Sequence, residues 1–150
     1  MDYQFFKQEK ENWCVPACLQ TILKRNHMNS PSQEEIFSSF RTNEDGIVLN
    51  PANLEAFLEK FGMTSYYAHH RISFPEIDFI IEKELKQKKD ILAAYYFNES
   101  NRHSSLVINL NKKITLQDSN QTIKELDFLD LLNKMPLDFQ CGFYFINVLT

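Results

Sequence analysis

Apolar residues recur at helical spacing through the first half of the chain and in short runs through the second. Cys18, Leu19, Ile22 and Leu23 fall at i, i+1, i+4 and i+5, the buried stripe of one helix. That helix is expected to begin around Cys14, with Asn12 as its N-cap and Pro16 where a missing backbone N–H costs nothing. Lys24 and Arg25 stand near its end, where they complement the helix dipole. Ser32 with Glu35 forms the pattern of a capping box, opening a helix through Phe40. Asn50 or Pro51 opens another, Asn53 to Phe61, closed by Gly62 as the C′ residue. Pro75 opens a fourth, with Ile77, Phe79, Ile80 and Leu85 as its apolar positions and a solvated charged end from Glu82 to Lys89. Strands are expected at 64–68, 91–97, 104–110, 113–118 and 142–149, and the stretch 123–134 reads as helix. Helices first and strands later predict an α+β fold, not βαβ winding. No repeat, low-complexity tract or linker divides the chain, so residues 1–150 are expected to form a single domain.

Composition narrows the functions open to such a domain. The three glycines, Gly46, Gly62 and Gly142, stand alone, so neither a dinucleotide-binding nor a P-loop motif can be assembled. A net charge of −4 lacks the basic footprint of a nucleic-acid binder. Three cysteines, Cys14, Cys18 and Cys141, are too few and odd in number for a disulfide framework. No basic and apolar signal segment opens the chain, and no run approaches the length of a membrane span. The expectation is a reduced, cytoplasmic protein with no cofactor, no nucleic-acid partner and no membrane span.

Chemistry enters at Cys14. A cysteine at a helix N-terminus meets open N–H groups and the positive end of the dipole, which favour a thiolate nucleophile. Cys18, one turn into the apolar stripe, reads as core. Such a nucleophile needs a base. His27 lies at the end of the same helix, and His69 and His70 lie in a polar stretch that reads as surface or loop. His103 differs, because it precedes the apolar strand Leu106-Val107-Ile108, and the next strand ends at Asp118. If Asn111 and Lys112 form a two-residue turn, Leu110 faces Lys113 and Ser105 faces Asp118. His103 and Asp118 then share a sheet face as diagonal neighbours, above Val107, Ile114 and Leu116. An odd-length loop would separate them unless a bulge compensates. A carboxylate beside an imidazole fixes its tautomer and supports its charged form.

The stretch Gln8-Glu9-Lys10-Glu11-Asn12-Trp13-Cys14-Val15-Pro16-Ala17-Cys18 resembles the nucleophile segment of papain-like cysteine peptidases. It is most similar to the bacteriocin-processing, double-glycine peptidase family, in which a Gln stands six residues before a cysteine that opens a helix. Gln8, Cys14, His103 and Asp118 follow that family's order and approximate spacing, and Gly46-Ile47-Val48-Leu49 resembles its middle region. The resemblance implies a papain-like fold, with N-terminal helices packed on a C-terminal antiparallel sheet, and a peptide or protein substrate. It implies that Cys14 attacks a peptide carbonyl, that His103 is the base and then the acid, and that Asp118 orients His103. Gln8 and the Cys14 N–H would hold the oxyanion, and trimming of leader peptides after small residues would be the reaction. Val15 and Asn109 stand where that family usually has glycine, and a valine beside the nucleophile would narrow the groove or redirect the substrate. No transporter segment is present, so coupling to export within the same chain is not expected.

Two other functions use the same residues. An acyltransferase would pass the acyl group from Cys14 to an amine or thiol instead of water, through the same intermediate. A non-catalytic peptide-binding module of the same fold would be expected to lack the nucleophile or the base, whereas Cys14 and His103 are both here. A metal site at Cys14, Cys18 and a histidine is disfavoured, because a three-residue gap is not a usual zinc spacing. The loop Phe97-Asn98-Glu99-Ser100-Asn101-Arg102 precedes His103 and is placed to line a cleft.

Overall fold

The stripe of Cys18, Leu19, Ile22 and Leu23 forms the buried face of helix α1 (Cys14–Arg25) in the computed structural model, which describes residues 5–44, 46–72, 76–98, 100–120, 122–138 and 140–149. Trp13, not Asn12, is its N-cap residue, and no side chain caps it. Asn12 instead adopts a left-handed backbone (φ 67°) and donates its side-chain amide to the Glu44 carbonyl at 3.1 Å. Both halves of the capping box at Ser32 and Glu35 are made, opening α2 (Gln33–Ser38). This helix stops short of Phe40, and the Ser39 hydroxyl donates back to the Glu35 carbonyl. Helix α3 (Pro51–Glu59) is opened by reciprocal bonds between Asn50 and Asn53, and Gly62 follows it at φ +68°.

Ahead of α3, Thr42–Asn43 (β1) and Gly46–Ile47 (β2) make a small antiparallel pair that the apolar pattern does not signal. Helix α4 (Ile77–Lys86) follows β3 (Met63–Ala68); Pro75, expected to open it, lies outside the described residues. Ile77 and Ile81 form its buried line, one turn apart, whereas Phe79, another of its apolar positions, faces outward at 63% exposure. The sheet is completed by β4 (Asp90–Tyr96), β5 (Arg102–Leu110), β6 (Lys113–Asp118), β7 (Ile123–Asp127) and β8 (Gly142–Val148). The expected helix over 123–134 is thus corrected to a strand followed by a short helix, α5 (Phe128–Leu132). In β7, Lys124 and Leu126 turn one way and the exposed Ile123, Glu125 and Asp127 the other, a period of two on an edge strand.

The six strands run in the order β3-β8-β4-β5-β6-β7, and each neighbouring pair is antiparallel. Alternation along each strand feeds two cores. Leu92, Leu106, Tyr144 and Ile146 meet α1, α2 and α3 through Leu19, Ile36 and Leu54. Ile91, Val107, Phe143 and Phe145 meet α4 and α5 through Ile81 and Leu131. Among the described residues, no helix is long and apolar enough to cross a membrane.

The β5–β6 pair sets the site. Ser105 lies opposite Asp118 and Val107 opposite Leu116, but beyond them Leu110 pairs with Ile114, not with Lys113. The connection is one residue longer than the two-residue turn, and a bulge between Val107 and Asn109 absorbs the difference. Without it Leu110 would leave the core that it shares with Val107, Ile114 and Leu116. With it, His103 and Asp118 stand on one face.

Candidate active site

Helix α1 presents Cys14 at its first turn, 8% exposed, with the open N–H groups of the helix start around it. Across from it stands His103, at the beginning of β5, and the two side chains line the same cleft. The imidazole Nε2 bonds Asp118 Oδ1 at 2.5 Å, which leaves Nδ1 as the nitrogen for Cys14. Tyr95 meets the ring edge-on, its hydroxyl tied to Ser105 at 2.9 Å. The other Asp118 oxygen is paired with Lys124 Nζ at 2.9 Å, and that ammonium lies over the Phe97 ring at 4.8 Å.

These contacts set the charges. Burial, the largest influence on His103, opposes its charged form. The hydrogen bonds to Asp118 and Cys14 and the charges of those two groups outweigh it, so the imidazolium is held up to a pKa of about 9. Burial also works against the Asp118 carboxylate. The bond and charge of His103, then those of Lys124, overcome it and hold the acid well below the usual carboxylate range. Burial pushes the Cys18 thiol well up, and its Sγ donates to the Ser104 carbonyl at 3.6 Å, as suits a core thiol. Cys141 is pushed up to about 12, by burial first and then by Asp138.

Gln8 reaches the site from the segment before α1. Its main-chain N–H donates to the Ser119 carbonyl at 2.7 Å, and its side-chain oxygen accepts from the Ser119 hydroxyl at 2.6 Å. One amide hydrogen goes to the Lys10 carbonyl at 3.1 Å, leaving the second hydrogen of that NH2 group. Ser119 follows Asp118 directly, so one loop anchors both residues. The segment is also clamped by the buried amide of Gln33, which accepts from the Glu9 N–H and donates to the Lys7 carbonyl, each at 2.9 Å. All four sequence-expected residues, Gln8, Cys14, His103 and Asp118, line one broad cleft of about 820 Å³, with Phe97, Asn101 and Arg102 of the preceding loop on its wall. Glu99 of that loop lies outside the described residues.

From Cys14 and His103 a second, narrow arm of about 20 Å³ runs between Val15, Ile47, Leu49 and Ala94. Arg102 and Gln140 also line it. Lys124, Ser119 and Gln140 were not singled out in the sequence. Lys124 lies in a stretch whose apolar pattern resembles a helix, and Gln140 belongs to no motif. The histidines set aside lie elsewhere. His27 ends the turn after α1 with φ 60°. His69, expected at the surface or in a loop, lies in the loop after β3 but is fully buried, with Nε2 between the Met135 and Pro136 carbonyls, both at 3.0 Å, and Nδ1 accepting the Arg71 N–H. Among the described residues no group of three His, Cys, Asp or Glu side chains is placed to hold a metal.

A nucleophile-type cysteine on a helix, facing a His–Asp pair on an antiparallel sheet, defines a class of papain-like cysteine peptidases. A model of the Peptidase C39 family matches residues 2–131, and the chain belongs to that family of cysteine peptidases. Solved structures carry the same fold. The peptidase domain of Streptococcus ComA, a bi-functional ABC transporter involved in a quorum-sensing pathway, is similar at a TM-score of 0.71 and 13% identity, over 98% of this chain and 99% of that one. A double-glycine-motif protease from an AMS/PCAT transporter, in complex with its leader peptide, is similar at 0.63 and 14% identity, over 97% and 91%. A comparison with curated protein sequences finds no match.

Proposed function

We propose that this cysteine peptidase trims leader peptides after small residues, through Cys14, His103, Asp118 and Gln8. Cys14 Sγ attacks the scissile carbonyl as its proton passes to His103, and His103 gives that proton to the leaving amine. Water then attacks the thioester; His103 takes a proton from it and returns that proton to the departing Cys14 sulfur. Asp118 holds the imidazole in the tautomer and orientation that this requires. The free amide hydrogen of Gln8 and the Cys14 N–H stabilise the oxyanion, each donor of this kind being worth ~2.7–4 kcal/mol in the transition state.

The observation that carries the substrate preference is the asymmetry of the cleft. A broad arm of about 820 Å³ accommodates an extended chain, whereas the arm of about 20 Å³ beside Cys14 and His103 admits main chain with little side chain. Val15, one residue past the nucleophile, is part of that narrow wall. The leader peptide bound to the AMS/PCAT protease supports the same substrate class for this chain. The test is a peptide-library cleavage profile of the wild type against Cys14→Ala. Cleavage after glycine or alanine, lost in the variant, is the expected result. Cleavage after bulky residues would remove the substrate preference. Alkylation of Cys14 by iodoacetamide at neutral pH no faster than that of Cys18 and Cys141 would remove the nucleophile.

A further inference from the structure

Gln140, on the wall of the narrow arm, carries a polar atom left without a partner among the described residues. Gln140 Oε1 is shut off from solvent, and no donor among the described residues reaches it. Its residue lines the same space as Cys14, Val15, Arg102 and His103. Native proteins leave few buried acceptors unpaired, and one placed beside a nucleophile calls for a donor that arrives with the ligand. The backbone carrying it is fixed, because Asp138 Oδ1 accepts the N–H groups of both Gln140 (2.9 Å) and Cys141 (3.0 Å) just before β8. These bonds hold the main chain of residue 140 beside the arm.

The surroundings say which donor fits. Most of the lining is hydrocarbon from Val15, Ile47, Leu49 and Ala94, which disfavours burying a hydroxyl-, amide- or ammonium-bearing side chain there. A peptide main chain passing through still brings one N–H per residue. We infer that Gln140 is a specificity-determining residue whose Oε1 accepts a main-chain N–H of the substrate residue held in the narrow arm. The inference rests on the peptidase reading above and deepens it. The arm then selects for a small side chain and also for an unsubstituted amide. Proline or an N-alkylated residue is rejected there even where its bulk could be accepted, because it leaves Gln140 unpaired.

An ester scan tests this on the whole chain. Starting from a peptide found cleaved in the library profile, each non-scissile N–H near the cut is replaced in turn by an ester oxygen, which keeps size and removes the donor. With the wild type, one position is expected to lose about 10- to 100-fold in kcat/KM. Gln140→Met, close in size and without the acceptor, is expected to lose a similar factor on the all-amide peptide and to show no further penalty for that ester. An ester penalty of equal size in wild type and variant overturns the inference, as does a wild-type scan without any sensitive position. The wild-type scan needs no variant, so a Gln140→Met protein that fails to fold does not rescue the idea. Cleavage by the wild type but not by Cys14→Ala upholds the peptidase reading whatever Gln140 does. Absence of cleavage by the wild type removes both.

Discussion

The His103 imidazole lies between two groups that favour its charge, in an environment that disfavours it, and the geometry at Asp118 decides how it works. Its pKa of about 9 lies above the ordinary 6.5, so the imidazolium persists through neutral pH and is lost as the pH rises through about 9. The alkaline limb of kcat/KM is expected there. Asp118→Asn removes one of the supporting charges, so that limb moves down towards neutral pH. A second effect follows from Lys124, which donates to Asp118 Oδ2. In the variant the Asn carbonyl turns to the ammonium and the amide NH2 faces His103 Nε2, which must then accept. Nδ1 carries the proton and cannot take another from Cys14, a tautomer error worth about 10⁴ in kcat. Adding Lys124→Met frees the Asn to rotate and is expected to return part of that loss. Kinetics across about pH 6–10 check both effects; a double variant no better than Asp118→Asn alone sinks the tautomer argument. Gln8 separates differently: in its proposed role as an oxyanion donor, Gln8→Ala is expected to lose ~10²–10³ in kcat for peptides. Its Cys14 alkylation rate should stay near wild type, because alkylation develops no oxyanion. A parallel fall in both rates would point to a displaced Cys14 instead.

Between elements, the positions that matter are set by short irregular pieces. The start of α1 was legible because Pro16 and the apolar stripe agree on it, and the Ser32–Glu35 box because its spacing is local. The His103–Asp118 pairing was legible from strand alternation alone, although the expected turn was one residue short. The bulge between Val107 and Asn109 repairs the register, since both strands gain by keeping Leu110 and Ile114 in the core. Strand β7 was not legible: Leu126, Phe128, Leu129, Leu131 and Leu132 merge an edge strand and a short helix into one apolar run. Also invisible was the β1–β2 pair, whose role is to support the turn before Cys14. Gly46 has φ +110°, and a Cβ there would run into the Asn12 carbonyl oxygen. Gly46→Ala is expected to cost about 1–3 kcal/mol of stability, read from the urea midpoint. It should also lower kcat/KM by displacing the Asn12–Trp13 turn. A variant with the wild-type midpoint would show that this hairpin bears no strain.

At the scale of the whole molecule, the strand nearest the C-terminus holds the two halves of the sheet together. The family match ends at residue 131, yet β8 (Gly142–Val148) lies between β3 and β4 and pairs with both. Strand β3 has β8 as its neighbour in the sheet, so α3 and β3 join the rest of the sheet through it. Its side chains alternate between the cores: Phe143 and Phe145 pack towards α4 and α5, Tyr144 and Ile146 towards α1 and α3, and none is more than 2% exposed. Burying a large apolar side chain stabilises by roughly 1.5–3 kcal/mol, so four of them approach the ~5–15 kcal/mol that hold a whole domain folded. A chain cut after Cys141 keeps Gln8, Cys14, His103 and Asp118 but is expected to lose near-UV circular dichroism, peptidase activity and the difference in alkylation rate among its cysteines. Phe143→Ala is the milder form, expected to cost about 3–5 kcal/mol. Because Phe143 lies in the core against α4 and α5, away from the helix that carries Cys14, kcat/KM below the variant's melting temperature should remain close to wild type. A truncated chain that still cleaves would mean that β5, β6 and α1 form a site without the strand that joins the sheet.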